Sequence, residues 1–237
     1  MRALVVEDDP AMAQLEEIYL QRAGFEVRAV PTGAAGLEEA ADFLPDVILL
    51  DLNLPDISGL DVLTSLATTS DAFVLIVSAS SEESDMLRGL GMGADDYLTK
   101  PIRPAVMIAR IESYLRRRSR WHGGADDDAL HIGNATLDRD HSALRTKDAT
   151  VELTNMEFRL LAYLGSAQGR LRTRKQITED VWNDFSGLQT RVIDVHIAAI
   201  RKKLAQVNAD IAIASVRGIG YRLDAGAPAH LAIASAN

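Results

Sequence analysis

Short apolar segments alternate with helical segments throughout the first half of the chain. They are rich in Val, Ile and Leu: Ala3–Val6, Glu26–Val30, Val47–Leu50, Phe73–Ser78 and Asp96–Thr99. Continuous apolar runs of this length are typical of strands that are buried on both faces of a parallel sheet. Strands that alternate with helices form βαβ units. The pattern therefore predicts an α/β fold with a doubly wound parallel sheet of the (βα)5 type.

The alternation of strands and helices breaks down after residue 118. Residues 119–129 contain a pair of glycines and a run of aspartates, a composition that favours a linker. The segment 130–224 combines short strands, polar turns and helices, which predicts a smaller α+β domain. Residues 225–237 are rich in alanine and are expected to form a disordered tail. Two domains joined by a linker are therefore predicted, the first at 1–118.

Charge is distributed unevenly between the two predicted domains. The net charge is −9, but the acidic excess lies in the first half, whereas 159–222 is basic. This asymmetry indicates an acidic module joined to one that can meet phosphate. The absence of cysteine excludes disulfides and thiolate metal sites. No apolar run reaches the roughly 18 residues that a membrane helix needs. A soluble cytoplasmic protein with no membrane partner is expected.

Acidic side chains follow the first and third predicted strands. Glu7 and Asp8 come directly after the first strand, and Asp51 comes directly after the third. In a sheet of order 2-1-3-4-5 these strands are neighbours at the switch point, where such sheets bind ligands. Converging carboxylates need a cation, and Mg²⁺ prefers oxygen ligands. We expect Mg²⁺ to take carboxylates from Asp8 and Asp51. The main-chain carbonyl of Asn53 and a water held by Glu7 would complete its protein ligands.

The ends of the remaining strands carry groups suited to phosphoryl transfer. A metal-bound Asp51 that faces Lys100 is a competent nucleophile toward phosphorus. Ser78 ends the fourth strand, so its hydroxyl can reach a phosphoryl oxygen on Asp51. Tyr97 lies on the fifth strand and is expected to turn inward when Ser78 moves. Each residue alone is a weak signal, since acids after strands usually cap helices. The joint pattern favours a phosphoacceptor site.

Three segments resemble the receiver domains of response regulators. They are Leu4-Val5-Val6-Glu7-Asp8-Asp9, Leu50-Asp51-Leu52-Asn53-Leu54-Pro55-Asp56-Ile57-Ser58-Gly59 and Gly93-Ala94-Asp95-Asp96-Tyr97-Leu98-Thr99-Lys100-Pro101. The resemblance implies that Asp51 accepts a phosphoryl group from a sensor histidine kinase, with Glu7 and Asp8 in the metal pocket. It also implies that Lys100 senses the phosphoryl group. Ser78 and Tyr97 would form the switch pair.

The OmpR/PhoB family of these proteins adds an expectation about self-association. In that family the face formed by the fourth helix, fifth strand and fifth helix pairs two receivers into a homodimer. The residues that resemble its charge set are Arg88, Asp95, Asp96, Arg110 and Arg117. Two positions depart from the family: Val106 stands where a glutamate partner for Arg88 is expected, and Ile102 stands where phenylalanine is usual. Salt bridges at a rim contribute about 0–1 kcal/mol each, so the homodimer can tolerate the loss of one.

The second half contains a helix with a basic face. Thr190–Leu204 places four apolar residues on one side for the core, Ile193, Ile197, Ile200 and Leu204. The outward residues are Arg191, Asp194, Val195, Ala198, Arg201 and Lys202. A basic exposed helix fits the major groove of DNA. Arg217, in a glycine-containing hairpin tip, can reach an adjacent minor groove.

These segments resemble winged-helix domains of the OmpR type. The motifs are Leu153-Thr154 with Glu157-Phe158-Arg159-Leu160-Leu161, Val181-Trp182, Val192-Ile193-Asp194-Val195-His196-Ile197, Ile200-Arg201-Lys202-Lys203-Leu204 and Val216-Arg217-Gly218-Ile219-Gly220-Tyr221. The resemblance implies a recognition helix at Thr190–Leu204 and a wing at about Ser215–Leu223. Ala198 and Ala199 stand where the family often has arginine. Each lost phosphate contact weakens binding and flattens its salt dependence. Either low affinity is expected, or a greater dependence on dimerisation and on Arg191, Arg201 and Arg217.

The leading hypothesis is a transcription regulator and not an enzyme. Phosphorylation of Asp51 would stabilise a dimer that places two winged helices on tandem half-sites of double-stranded DNA. RNA polymerase is a further expected partner. One alternative is a Mg²⁺-dependent aspartyl-phosphate phosphatase, but Asn53 stands where that chemistry needs an acid. Another alternative is a DNA-binding regulator whose receiver needs no phosphorylation.

Overall fold

The computed structural model describes residues 1–122, 130–138, 141–182 and 191–226. The chain divides into two compact units, Met1–Ala125 and Asp126–Asn237. Most of the predicted linker and tail, 123–129 and 227–237, lies outside the described residues. Among the helices that are described, none is long and apolar enough to cross a membrane.

Parallel strands form the sheet of the first unit. They are β1 (Arg2–Val6), β2 (Glu26–Val30), β3 (Val47–Leu50), β4 (Phe73–Ser78) and β5 (Asp96–Thr99). Within residues 1–122 the sheet has five strands in the order β2-β1-β3-β4-β5. The predicted fold and strand order are confirmed, and β1 begins one residue earlier than predicted. Because β1 lies between β2 and β3, its carboxyl end meets that of β3.

A helix follows each of these strands. These helices are α1 (Pro10–Arg22), α2 (Gly33–Phe43), α3 (Gly59–Thr69), α4 (Glu83–Gly91) and α5 (Pro104–His122). Asp9 caps α1 by accepting hydrogen bonds from the backbone N–H groups of Ala11 and Met12, at 2.8 and 3.2 Å. Pro10 occupies the first turn, where its missing N–H costs nothing. The helix α5 continues to His122, past the start of the predicted linker.

The core of the first unit lies on both faces of the sheet. All four residues of β3 and all six of β4 are buried, as the continuous apolar runs predict. The helices supply the covering side chains, which include Leu20 of α1 and Met107 and Ile111 of α5. Apolar burial of this kind contributes about 25 cal/mol per Å², and it fixes the strand ends that carry the polar residues.

The second unit contains two antiparallel sheets among its described residues. The first is β6 (Leu130–Ile132), β7 (Ala135–Asp138), β8 (Ala143–Arg145) and β9 (Thr150–Glu152), paired in chain order. The second is β10 (Arg172–Thr173), β11 (Ile211–Val216) and β12 (Gly220–Ala225), with β12 in the centre. The strands β11 and β12 form a hairpin, which we call the wing, with Arg217–Ile219 at its tip.

One helix lies between β9 and β10, and the remaining helical segments lie between β10 and β11. They are α6 (Asn155–Ser166), α7 (Arg174–Ile177), a π-helical turn (Thr178–Trp182) and α8 (Arg191–Gln206). Thr154 and Glu157 form a reciprocal capping box, because each side chain accepts a backbone N–H of the other residue. The predicted recognition helix corresponds to α8. The winged-helix fold of this unit agrees with the sequence prediction.

Candidate functional site

The first and third strands deliver carboxylates to one place. Val6 and Leu50 are register partners at the ends of β1 and β3, so the residues that follow them lie side by side. The backbone N–H of Asp51 donates to the carbonyl of Val6 at 2.9 Å, which extends the pairing to the next residue. Glu7 and Asp51 are buried, with 2% and 4% exposure, whereas Asp8 is exposed. The predicted convergence of the acids at the switch point is therefore seen in the structure.

These acids form a cluster that suits a divalent cation. Glu7, Asp8 and Asp51 each offer an oxygen, and these oxygens lie within 4.8 Å of one another. Like charges at such distances are unfavourable in a buried site unless a cation neutralises them. Hard oxygen donors with one solvent-facing member match the preference of Mg²⁺, which keeps several waters. The donor set therefore fits a magnesium ion.

Lys100 lies against the buried part of the acidic cluster. Its Nζ donates to Oδ2 of Asp51 at 2.5 Å and to Oε2 of Glu7 at 2.7 Å. Burial raises the pKa of Glu7 despite the hydrogen bond from Lys100. Burial would favour neutral Lys100, but its bonds to Asp51 and Glu7 outweigh this and raise the pKa of the ammonium. Lys100 is therefore a fixed positive charge beside the carboxylate of Asp51.

The loop after β3 is held in place by a contact with the neighbouring helix. The carboxylate of Asp56 accepts the backbone N–H groups of Gly33 and Ala34, both at 2.9 Å, at the start of α2. These bonds lower the pKa of Asp56.

At the other end of the loop, a Cβ on Gly59 would lie 2.4 Å from the carbonyl oxygen of Asp51. Within the loop, the N–H of Asn53 donates to Oδ1 of Asp51 at 3.0 Å. The backbone thus fixes the direction of the Asp51 side chain.

Of the predicted switch residues, Ser78 ends β4 and Tyr97 lies within β5. Ser78 is 2% exposed and Tyr97 is 3% exposed, so both side chains are inside the unit. The hydroxyl of Tyr97 donates to the carbonyl of Ser80 at 2.9 Å, and the N–H of Ser80 donates to Oγ of Ser78 at 3.3 Å. Sequence reasoning missed Ser80, which also donates its hydroxyl to Asp85 at 2.6 Å. The loop after β4 therefore connects the two predicted switch residues.

A third buried carboxyl near the cluster was also missed. Glu16, on the inner face of α1, is 2% exposed, and its Oε1 has no hydrogen-bond partner within the described residues. Burial raises its pKa to about 8, and the charge of Glu7 adds to the effect. Its position four residues before the buried Leu20 was the available signal, because residues i and i+4 share a helix face.

The predicted dimer residues differ in their surroundings. Asp95 is 2% exposed, and its Oδ2 accepts the backbone N–H of Val74 at 2.9 Å. Asp96 pairs with Arg110 of the same chain at 2.6 Å. Its pKa is raised by burial, although Arg110 opposes the effect. Arg88 is exposed on α4, and the side chain of Arg117 lies outside the described residues. Two aspartates that were expected on a surface therefore make buried contacts within the receiver.

The two residues that depart from the family sequence lie near this face. Ile102 and Val106 are partly buried and pack against the core of the first unit. Their side chains therefore contribute to internal packing.

The helix α8 presents one face to the core and another to solvent. The four predicted core residues, Ile193, Ile197, Ile200 and Leu204, are at most 2% exposed. Ala198, Lys202 and Arg217 are exposed, and Val195 is half-buried. The side chain of Arg191 lies outside the described residues. Asp194 and Arg201, which were expected to face DNA, bond instead to side chains and backbone of the same unit.

Comparison with known protein families assigns both units. Residues 3–112 match the model of the response regulator receiver domain, and residues 148–223 match that of the transcriptional regulatory protein C-terminal domain. Two solved structures of RitR mutants superpose with TM-scores of 0.78 and 0.81 at 28% identity. They cover 95% of this chain and 99% of theirs. The fold and the domain pair thus define a response regulator.

Characterised relatives narrow the assignment. The alkaline phosphatase synthesis transcriptional regulatory protein PhoP of Bacillus subtilis is 37% identical, over 94% of this chain and 96% of its own. The transcriptional regulatory protein CseB of Streptomyces coelicolor is 38% identical over 94% and 97%. CreB of Escherichia coli is 37% identical over 92% and 96%. The chain belongs to the OmpR/PhoB family of two-component response regulators, with a receiver and a DNA-binding domain that regulate transcription.

Proposed function

We propose that a sensor histidine kinase phosphorylates Asp51 and that this modification controls DNA binding. The observation that carries the proposal is the contact of Lys100 with Asp51 at 2.5 Å inside a cluster of three carboxylates. A buried carboxylate beside a fixed ammonium can become an acyl phosphate without an uncompensated charge. The family assignment supplies the two kinds of partner, a sensor kinase and double-stranded DNA.

The chemical step is an in-line displacement at phosphorus. A carboxylate oxygen of Asp51 attacks, a new O–P bond forms, and the P–N bond to the kinase imidazole breaks with its electron pair on nitrogen. Bound Mg²⁺ would neutralise charge on the phosphoryl oxygens. Lys100, released in part from the carboxylate, donates to one of those oxygens. Asn53 holds the other oxygen of Asp51 through its N–H, so the nucleophile keeps its direction.

The metal would be held by the residues that already converge. Asp8 and Asp51 are the proposed carboxylate ligands, Asn53 contributes its carbonyl, and Glu7 acts through water. The support for this set is the cluster of oxygens within 4.8 Å. The exposed Asp8 gives water access to the open positions of the ion.

The proposed output passes through the loop after β4. A phosphoryl oxygen on Asp51 would accept the hydroxyl of Ser78. Because the N–H of Ser80 bonds to Oγ of Ser78, movement of Ser78 would shift the carbonyl that Tyr97 now holds. The proposed result is a homodimer through α4, β5 and α5, with Arg88 at its rim. Arg110 and Asp96 would first exchange their internal pair for a partner across the interface.

DNA contact is assigned to the exposed side of α8 and to the wing. Lys202 and Arg217 are cations that face solvent there, and Val195 and Ala198 offer apolar contact. Arg191 is proposed as a further contact from the sequence alone. Two such domains on tandem half-sites would follow from receiver dimerisation.

The test is modification of the full chain by acetyl phosphate with Mg²⁺, measured by intact mass. Wild type is expected to gain one phosphoryl group and to lose the gain in EDTA, and Asp51→Asn is expected to gain none. Asp61→Asn, an exposed aspartate on α3, is the matched control and should behave as wild type. Equal modification of Asp51→Asn contradicts the assignment. Modification without any change in DNA affinity would favour a regulator that works independently of phosphorylation.

A further inference from the structure

Arg201 connects the recognition helix to the first strand of the wing. Its Nε donates to the carbonyl of Ile213 at 3.0 Å, and its Nη2 donates to Oγ of Ser215 at 2.9 Å. A second bond from Nη2 reaches the same carbonyl of Ile213. The guanidinium therefore forks around two residues of β11, a rigid arrangement that lysine cannot reproduce.

Asp194 connects the same helix to the second strand of the wing. Its Oδ1 accepts Nη2 of Arg174 at 2.5 Å and also accepts the hydroxyl of Tyr221, which lies on β12. Arg174 bonds to that hydroxyl at 3.1 Å and lies over the Tyr221 ring, 5.2 Å from its centroid. Three elements, α7, α8 and β12, thus meet in one charge-assisted network, of the kind that is stronger than a neutral hydrogen bond.

The two anchors reach both strands of the hairpin. Residues 194 and 201 are seven apart, which places them about two turns apart on one side of α8. Their partners Ser215 and Tyr221 are directly opposite each other in the register of β11 and β12. The helix therefore contacts both strands of the wing, through Ser215 and Tyr221 on one rung and through Ile213 two residues earlier on β11. The exposed Arg217 lies just beyond this rung.

The charges also argue against a direct contact of Asp194 with the DNA backbone. A free carboxylate on a DNA-facing helix repels phosphate. Here the carboxylate of Asp194 is already paired with Arg174, and its second partner is the phenol of Tyr221. Burial raises the pKa of Tyr221 to about 12, and Asp194 adds to this rise. The hydroxyl of Tyr221 consequently stays protonated and remains a donor.

We propose that Asp194 and Arg201 are positioning residues that fix the angle between the recognition helix and the wing, and are not residues that read DNA. The sequence pattern predicts that both residues contact DNA. The proposal concerns how the DNA-binding domain presents Arg217 to the minor groove, and it is independent of phosphorylation.

The first test is a double-mutant cycle in the full chain. The probe is the duplex that wild type enriches from a random-sequence library, and affinity is measured by fluorescence anisotropy. Arg201→Ala is expected to weaken binding about tenfold, the loss of a charge-assisted bond, but to cost little when Arg217→Ala is already present. Lys202→Ala, the exposed cation next to it, is the matched control and should add to Arg217→Ala. Full additivity of Arg201→Ala with Arg217→Ala overturns the proposal.

A double-mutant cycle with Arg174 distinguishes a positioning role of Asp194 from a direct contact with a base. As a positioning residue, Asp194→Ala should weaken binding no further in an Arg174→Ala background and should leave the enriched sequence unchanged. If Asp194 instead accepts a hydrogen bond from a cytosine, its loss relaxes the preference at one base pair and adds to Arg174→Ala. Failure of wild type to enrich any duplex would contradict DNA binding itself, which is a different outcome.

A distance measurement tests the geometry without DNA. The chain has no cysteine, so spin labels can be attached at Ala198→Cys on α8 and Ile219→Cys on the wing, both exposed. Arg201→Ala is expected to broaden the distance distribution, and Lys202→Ala is expected to leave it narrow. Arg201→Lys keeps the charge but loses the fork, so it should broaden the distribution too, even where the alanine variant folds poorly. An unchanged distribution in the lysine variant would refute the anchoring role.

Discussion

The protonation of the buried Glu16 allows a strong test of the electrostatics of the receiver. It is 98% removed from solvent beside the acidic cluster, and its Oε1 has no hydrogen bond within the described residues. Glu16→Gln keeps the shape of the protonated acid and removes the proton equilibrium. Burial is the main cause of the raised pKa, and the negative charges of Glu7 and Asp51 outweigh the positive charge of Lys100. The folded receiver therefore favours a neutral side chain at this position.

The size of the effect follows from proton linkage. The pKa rises from 4.5 in a model peptide to about 8 in the folded receiver, so the folded state binds the proton more tightly. Stability is then fully present below pH 4.5 and is lost as the pH rises through about 8. The difference of about 3.5 pH units, at about 1.4 kcal/mol per unit, corresponds to a loss on the order of 5 kcal/mol.

Hydrogen exchange of the sheet amides measures this loss separately for the receiver in the full chain. In EDTA between about pH 5 and 7.5, the free energy of opening of wild type should fall relative to Glu16→Gln by about 1.4 kcal/mol per pH unit. Glu17→Gln is the matched control, since it is the neighbouring acid on α1 and is only partly buried. Parallel pH profiles for wild type and Glu16→Gln would refute the reasoning.

Three further changes test other parts of the chain. Gly59→Ala would place a Cβ 2.4 Å from the carbonyl of Asp51, so intact-mass assays should show slower phosphorylation by acetyl phosphate, and wild-type rates would contradict this. Thr154→Ala removes half of a capping box and should cost about 1 kcal/mol in urea unfolding, and an unchanged unfolding free energy would contradict this. Burial lowers the pKa of His196 to about 4 from 6.5, so the second unit should lose on the order of 3 kcal/mol as the pH falls through that range. His196→Leu should abolish this loss in Trp-monitored unfolding, and an unchanged loss would disprove it.

The fold of the receiver could be predicted because its strands and helices alternate along the chain and each carries its own sequence pattern. The strands β3 and β4 are continuous apolar runs, and burial on both faces leaves little freedom in their assignment. Chain topology then brings the residues after β1 and β3 together, whichever rotamers they adopt. For that reason Glu7, Asp8 and Asp51 could be placed near one another before any distance was known.

The second unit was harder to predict where its elements are short. The strand β10 has two residues and β9 has three, lengths at which apolar alternation cannot be distinguished from a turn. The helix that begins at Arg174 changes at Thr178 to a π-helical turn, because local hydrogen bonding there departs from the i to i+4 pattern. Neither feature has a composition that differs from its surroundings.

Side-chain partners were the least predictable feature, and the reason differs between the two units. Glu16 was overlooked because a carboxylate on a helix is normally exposed, although its spacing from Leu20 places it on the inner face of α1. Arg201 and Asp194 were placed on DNA because their helix face is polar. Part of that face is exposed to solvent, and part of it contacts the wing. Which residues contact the wing depends on Ser215 and Tyr221, which are distant in sequence. A DNA contact can therefore be predicted for a polar residue on such a helix only when its hydrogen bonds within the domain are known.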